Sequence, residues 1–252
     1  MKSIIITIIF SGFCFSQINT ESMRNEKLIE GIQNKISLNF SLEKADVEIV
    51  EFETKYRMDY NINKNLVSFL ILNYKNGYQK NNDETNQITN KGFTHLRLTQ
   101  NIIPQIYGEL FFQIGFNDFL SIKNRKLGGG GIRIKGKEQI KSLNSFIGIG
   151  LMNEIEKYDD DDNSVFKLIR LTNYLTLDFQ ILKNILFTNT AYYQVDISNI
   201  NDFRILYNSG LNIQLIKNLN FSMNINFRYD NEPVNNTNKQ YIQITNGITY
   251  HF

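Results

Sequence analysis

Charged side chains recur at alternate positions in runs whose intervening residues are apolar. Near the N-terminal end of the chain, Glu51, Glu53, Lys55, Arg57 and Asp59 alternate with Val50, Phe52, Tyr56, Met58 and Tyr60. Further along, Arg97, Glu109, Arg133, Glu154, Arg170, Arg204 and Arg228 fall in the polar phase of similar runs. Carboxylates and guanidinium groups gathered on one surface have two uses. Opposed to one another, they pair and hydrogen-bond into a polar plug. Uncompensated, they line a path selective for a small anionic or zwitterionic solute. The sequence leaves both uses open, with Glu109, Arg133, Glu154, Arg170, Arg204 and Arg228 as the lining candidates.

Other groups offer less chemistry. Gly128 to Gly131 form a four-glycine run, but no Gly-Lys-Ser/Thr follows, so it is not a phosphate loop. Within a strand such a run gives curvature and room for bulky neighbours. Asp159 to Asp162 lack the spacing of a calcium loop and read as a solvated connection, with weak divalent-cation binding as the other option. His95 has no Ser two places on, and His251 lies beside the terminal Phe252, so a hydrolytic triad has no support. Cys14 is the single cysteine. No catalytic residue, metal site or cofactor is assigned, and the chain reads as a non-enzyme.

Period-two alternation calls for β-strands. Leu219, Phe221, Met223, Ile225, Phe227 and Tyr229 alternate with Asn220, Ser222, Asn224, Asn226 and Arg228. Phe203, Ile205, Tyr207, Leu211 and Ile213 alternate with Arg204, Asn208, Gly210, Asn212 and Gln214. About twelve such runs follow one another, at 35–43, 46–59, 65–75, 91–101, 105–117, 124–135, 142–154, 165–178, 184–195, 203–215, 218–229 and 240–252. The run from Leu66 to Leu72 is apolar in both phases, so its register is open. Connections alternate between short ones, such as 102–104 and 181–183, and longer polar ones, such as 76–90, 157–164 and 230–239. That asymmetry marks membrane barrels. The expected fold is all-β, a transmembrane antiparallel up-and-down β-barrel over residues 34–252. In lipid an open sheet edge would leave amides unpaired, so the sheet must close. Arginine or lysine facing lipid at the midplane costs about 2–4 kcal/mol, so the charged phase must point inward.

The chain ends supply the compartment. Lys2 precedes an apolar run from Ile4 to Phe15, and Ser16 then precedes Gln17. This is the layout of an export signal over residues 1–16, too short to span a bilayer as a helix. Residues 17–33 read as a short periplasmic segment. Phe13 before Cys14 argues against a lipidation box. At the other end, Gly247, Tyr250 and the terminal Phe252 match the signal read by the barrel-assembly machinery. Ile242, Ile244, Ile248, Tyr250 and Phe252 share one face of this run, opposite Gln243, Thr245, Thr249 and His251. An even strand number puts both termini in the periplasm. The expected surroundings are outer-membrane lipid and lipopolysaccharide, and the expected state is a monomer. A net charge of +2 gives no sign of a nucleic-acid partner.

From Phe93 to Phe252 the sequence resembles the DUF481 family, the salt-induced outer-membrane proteins. The resemblance is carried by FTHLRLTQNIIPQIYGELFFQIGFNDFLSIKNRKLGGGGIRIK, NDFRILYNSGLNIQLIKNLNFSMNINFRYDNEP and the closing NGITYHF. Its most specific parts are Asn124 to Ile134 and the Asp202-Phe203-Arg204 strand start. The resemblance implies an outer-membrane barrel and supplies no catalytic motif. Three functions remain in view: a narrow or plugged pore serving passage or envelope integrity, a hydrolase acting on lipid or peptide, and a surface-binding barrel.

Overall fold

The computed structural model describes residues 30–44, 48–63, 65–81, 84–137, 140, 142–233 and 239–251. The export signal expected over 1–16 and the terminal Phe252 lie outside the described residues. Twelve antiparallel strands form the wall: β1 (Gly31–Lys44), β2 (Glu48–Asn63), β3 (Leu66–Asn81), β4 (Glu84–Ile103), β5 (Ile106–Asn117), β6 (Ile122–Lys135), β7 (Leu143–Tyr158), β8 (Val165–Leu182), β9 (Ile185–Asp196), β10 (Phe203–Ile216), β11 (Leu219–Asp230) and β12 (Gln240–His251). Each pairs with its sequence neighbours, and β1 pairs with β12 to close the barrel. The fold is thus the expected up-and-down barrel.

The alternation resolves as the lipid argument requires. On β5, Leu110, Phe112 and Ile114 are exposed on the outer wall, whereas Glu109 and Gln113 are buried inside. On β12, Ile242, Ile244, Ile248 and Tyr250 face outward, and Thr249 is buried. A wall with exposed aliphatic residues outside and buried polar residues inside is the inverse of a soluble barrel.

Two expectations change, and a register left open is resolved. The barrel begins at Gly31, so residues 31–33 are wall and not lead-in. Gly31, Ile32 and Gln33 pair with Asn61, Tyr60 and Asp59. The long loop expected over 76–90 is largely strand, since β3 runs to Asn81 and β4 starts at Glu84. A crossing needs only about 9–11 residues, whereas β4 has 20. The excess forms a polar hairpin beyond the apolar band, which its composition disguised as a loop. In β3, Phe69 and Ile71 turn inward, while Leu72 and Tyr74 turn outward. The inward Phe69 is accommodated because the Arg57 guanidinium lies 4.2 Å from its ring centroid and His95 sits beside it.

The glycine run works by absence. A Cβ on Gly129 would lie 2.5 Å from both the Leu151 carbonyl oxygen and Phe111 Cζ, and 2.9 Å from Met152 Cβ. The missing side chain leaves lumen volume for Phe111 and Met152. Gly148 does the same for the Tyr174 ring.

Among the described residues, the seam between β1 and β12 is held by four registered pairs, Lys35 to Leu38 against His251 to Ile248. Ser37 and Thr249 share a hydroxyl hydrogen bond of 2.8 Å across it. Gly247 lies just beyond these pairs, and a Cβ there would overlap the Asn39 amide. Its lack of a side chain therefore has a packing role here beside the assembly role expected from the sequence.

Candidate functional site: the barrel lumen

The lumen has two unlike halves. Strands β6 to β11 supply an ionic network near their loop-bearing ends. Glu154 is its centre. Arg125 donates to it through Nε at 2.8 Å, Arg170 through Nε at 2.8 Å, and Arg204 through Nη1 at 3.1 Å to both oxygens. Glu156 lies 3.0 Å from Arg125 and accepts the Tyr158 hydroxyl at 2.9 Å. Arg170 also forks onto Asp202, at 2.8 and 2.9 Å. Arg204 Nε donates to Asp230 at 2.8 Å. Arg170 and Glu154 are 0% exposed. Ion pairs this dry are maintained only when each charge is paired and hydrogen-bonded, and here each has several partners.

A second group lies nearer the turn-bearing ends of β4, β5 and β8. Glu109 accepts from Arg97 at 3.2 Å, from Thr99 at 3.3 Å and from the Tyr174 hydroxyl at 3.0 Å. The Arg133 guanidinium lies 3.8 Å from the centroid of the Phe146 ring. His95 is buried between Phe69 and Phe111, with Nδ1 3.2 Å from the Gln113 side-chain oxygen. This surround holds its ring as packing. Only a small void of about 50 Å³ remains among these side chains.

The other half, between β1–β3 and β10–β12, is more open. A cavity of about 150 Å³ is bordered on one side by Lys35, Lys55 and Arg57, and on the other by Asn212, Asn224, Gln243 and Thr245. Glu53 enters it with its carboxylate held by Asn39 at 2.8 Å and Asn73 at 2.7 Å. Arg57 pairs with Asp59. Amides and hydroxyls both donate and accept, so this wall can exchange hydrogen bonds with passing water or a polar solute.

Of the six lining candidates, Glu154, Arg170 and Arg204 meet in one network and Glu109 lies in the second. Arg133 stacks on Phe146. Arg228 donates to Asn208 at 2.7 Å, beside the open half. The pairing reading therefore describes Arg170 and Arg204, which are compensated by Glu154, Asp202 and Asp230. Sequence reasoning omitted Arg125, Glu156, Asp202 and Asp230 from the site. A signal for two of them was present: Arg125 and Asp202 lie within the two segments that most specifically carried the family resemblance. It also omitted the amide wall, although Asn220, Ser222, Asn224 and Asn226 form an uninterrupted polar phase on β11.

Residues 33–252 match the family described as "Protein of unknown function, DUF481". The chain belongs to that family. No curated protein matches this DUF481 member. Among solved structures it is similar to the translocator domain of the autotransporter NalP from Neisseria meningitidis. The TM-score is 0.56 at 10% identity, covering 87% of this chain and 88% of that one. It is similar to the COG4313 outer membrane channel from Pseudomonas putida F1, with a TM-score of 0.55 at 7% identity, covering 90% and 97% of the two chains. The NanC porin gives 0.53 at 8% identity, covering 86% and 98%. These likenesses are of fold: the DUF481 chain shares the closed antiparallel barrel of outer-membrane proteins.

Proposed function

We propose that this DUF481 protein resides in the outer membrane, loops outward and both termini periplasmic, and offers small polar solutes a narrow path. The single observation that carries this reading is the division of the lumen. One half is filled by arginines and carboxylates that satisfy each other. The other keeps a cavity of about 150 Å³ faced by Asn212, Asn224, Gln243 and Thr245. A barrel serving only as a plug has no need to leave one half lined by small polar side chains. The outer-membrane placement is supported by the apolar outer wall, and by the export-signal layout of residues 1–16 and the terminal motif expected from the sequence. It fits a fold shared with a protein described as an outer membrane channel.

The path is narrow because a barrel of twelve strands has limited interior width, and here a large part of it is occupied. Single-channel recording of the refolded protein in a planar bilayer tests the reading. The expected result is a small, steady conductance, reduced by Asn224→Leu. Silence at all voltages, together with exclusion of small sugars from proteoliposomes, would overturn it.

A further inference from the structure

A lysine on a lipid-facing wall is costly unless its ammonium group reaches the interface. Lys126 of β6, Lys157 of β7 and Lys167 of β8 nevertheless all point outward and are exposed. The register sets Lys126 opposite Ile155, and Ile155 opposite Lys167. Lys157 lies two positions further toward the loop, opposite Asn124 and Val165. The three lysines therefore surround Ile155. Diagonal neighbours on adjacent strands lie within reach of long side chains, so three ammonium groups can converge on one anion.

No carboxylate stands among them on the outer face of the three strands; the nearest acidic run, Asp159 to Asp162, lies in the loop beyond Lys157. The acidic residues of β7, Glu154 and Glu156, are buried on the inner side against arginines. Lys80 of β3 differs, because Glu48 stands opposite it. In the adjoining loop, Asp159 lies 3.3 Å from Lys123. Asp160 accepts the Ser164 amide at 2.7 Å, which holds its carboxyl below the usual range. Toward the turn end, past the exposed Asn153, the same wall continues as Ile169, Leu151, Ile149 and Ile147, each exposed and aliphatic.

We propose that Lys126, Lys157 and Lys167 form a binding site for a phosphomonoester headgroup of a lipid, with its acyl chains on the aliphatic wall below. The geometry fits both parts of such a lipid. Phosphate oxygens accept several ammonium donors at once, and the chains replace no hydrogen bond on Ile149 or Leu151. A zwitterionic lipid fits less well, since its own cation offsets the charge the lysines require. Resting on the loops-outward orientation above, the occupant is the phosphorylated glycolipid of the outer leaflet.

Native mass spectrometry of the full chain in detergent tests this, with diphosphoryl lipid A as probe. Dephosphorylated lipid A and phosphatidylglycerol are the comparisons. The expected result is a one-to-one complex that requires the phosphates and outcompetes phosphatidylglycerol. The triple variant K126Q/K157Q/K167Q should bind roughly tenfold or more weakly, because charge-assisted contacts are lost, while K80Q binds as the parent does. Heat-dependent gel mobility reports that each variant is folded. Should the triple variant not fold, K167Q alone must weaken binding by roughly threefold on the same grounds. Unchanged affinity in the folded variants, indifference to the phosphates, or equal binding of phosphatidylglycerol would overturn the proposal. None of these outcomes depends on conductance, so the site and the solute path fail separately.

Discussion

Arg170 Nε donates to Glu154 Oε2 at 2.8 Å, and both residues are shielded completely from solvent. The same carboxylate also receives Arg125 and Arg204. One carboxylate thus holds three cations that would otherwise repel each other inside a low-dielectric wall.

Replacing Glu154 by Gln should therefore be more damaging than replacing a rim carboxylate. Removing one partner from a buried ionic group costs about 3–5 kcal/mol, because the remaining charges stay buried. Urea unfolding of the refolded barrel in lipid vesicles, followed by heat-dependent gel mobility, measures it. Asp159→Asn, at an exposed pair, should change stability by less than about 1 kcal/mol. Equal stability of the two variants would refute the central role of Glu154.

The glycine run makes a steric prediction. Gly129→Ala places a methyl group against Phe111 and Met152 and should destabilise the barrel by about 1–3 kcal/mol. The double variant Gly129→Ala with Phe111→Ala should recover part of that loss. Absence of any recovery in a double-mutant cycle would show that Phe111 is not the obstacle.

Ion selectivity follows from which charges border the open half. Lys35, Lys55 and Arg57 border that cavity, against the carboxylates of Glu53 and of Asp59, which pairs with Arg57. A weak anion preference is the expected outcome, since fixed positive charge raises the local anion concentration. Lys55→Gln should reduce it, as read from reversal potentials in asymmetric salt. Arg170→Gln and Arg204→Gln should weaken stability and leave the preference nearly unchanged, because their charges are balanced within the network. Loss of preference in those two, with none in Lys55→Gln, would move the path to the other half.

The motif of Gly247, Tyr250 and Phe252 makes a prediction about assembly. Deleting Phe252 should lower the yield of folded barrel in the outer membrane and raise the periplasmic fraction. Fractionation with a gel-mobility assay measures it, and normal yield would show that the terminal motif is not read.

Strand number, membrane character and inner face were legible in the sequence because they rest on local quantities. A period of two survives in any stretch as plain as Leu219 to Tyr229, and each charged phase could point only away from lipid. The Leu66 to Leu72 segment marks where local information ended. With apolar residues in both phases, its register was set by Arg57 and His95, which reach Phe69 from neighbouring strands. The hairpin over 76–90 reads as a loop for a related reason. Polar composition reports solvent, and a strand that rises beyond the lipid is as solvated as a loop.

The amino-acid sequence by itself determined a closed, antiparallel barrel with polar residues inside, because lipid and backbone hydrogen bonding admit few alternatives. Only the tertiary structure decided which charges meet. Arg125, Glu154, Arg170, Asp202, Arg204 and Asp230 come from different strands and loops, and their encounter depends on barrel closure and strand stagger, which no single strand encodes. The same closure separated the lumen into a locked ionic half and an amide-lined half. The register of three adjacent strands gathers Lys126, Lys157 and Lys167 onto one patch of the outer wall.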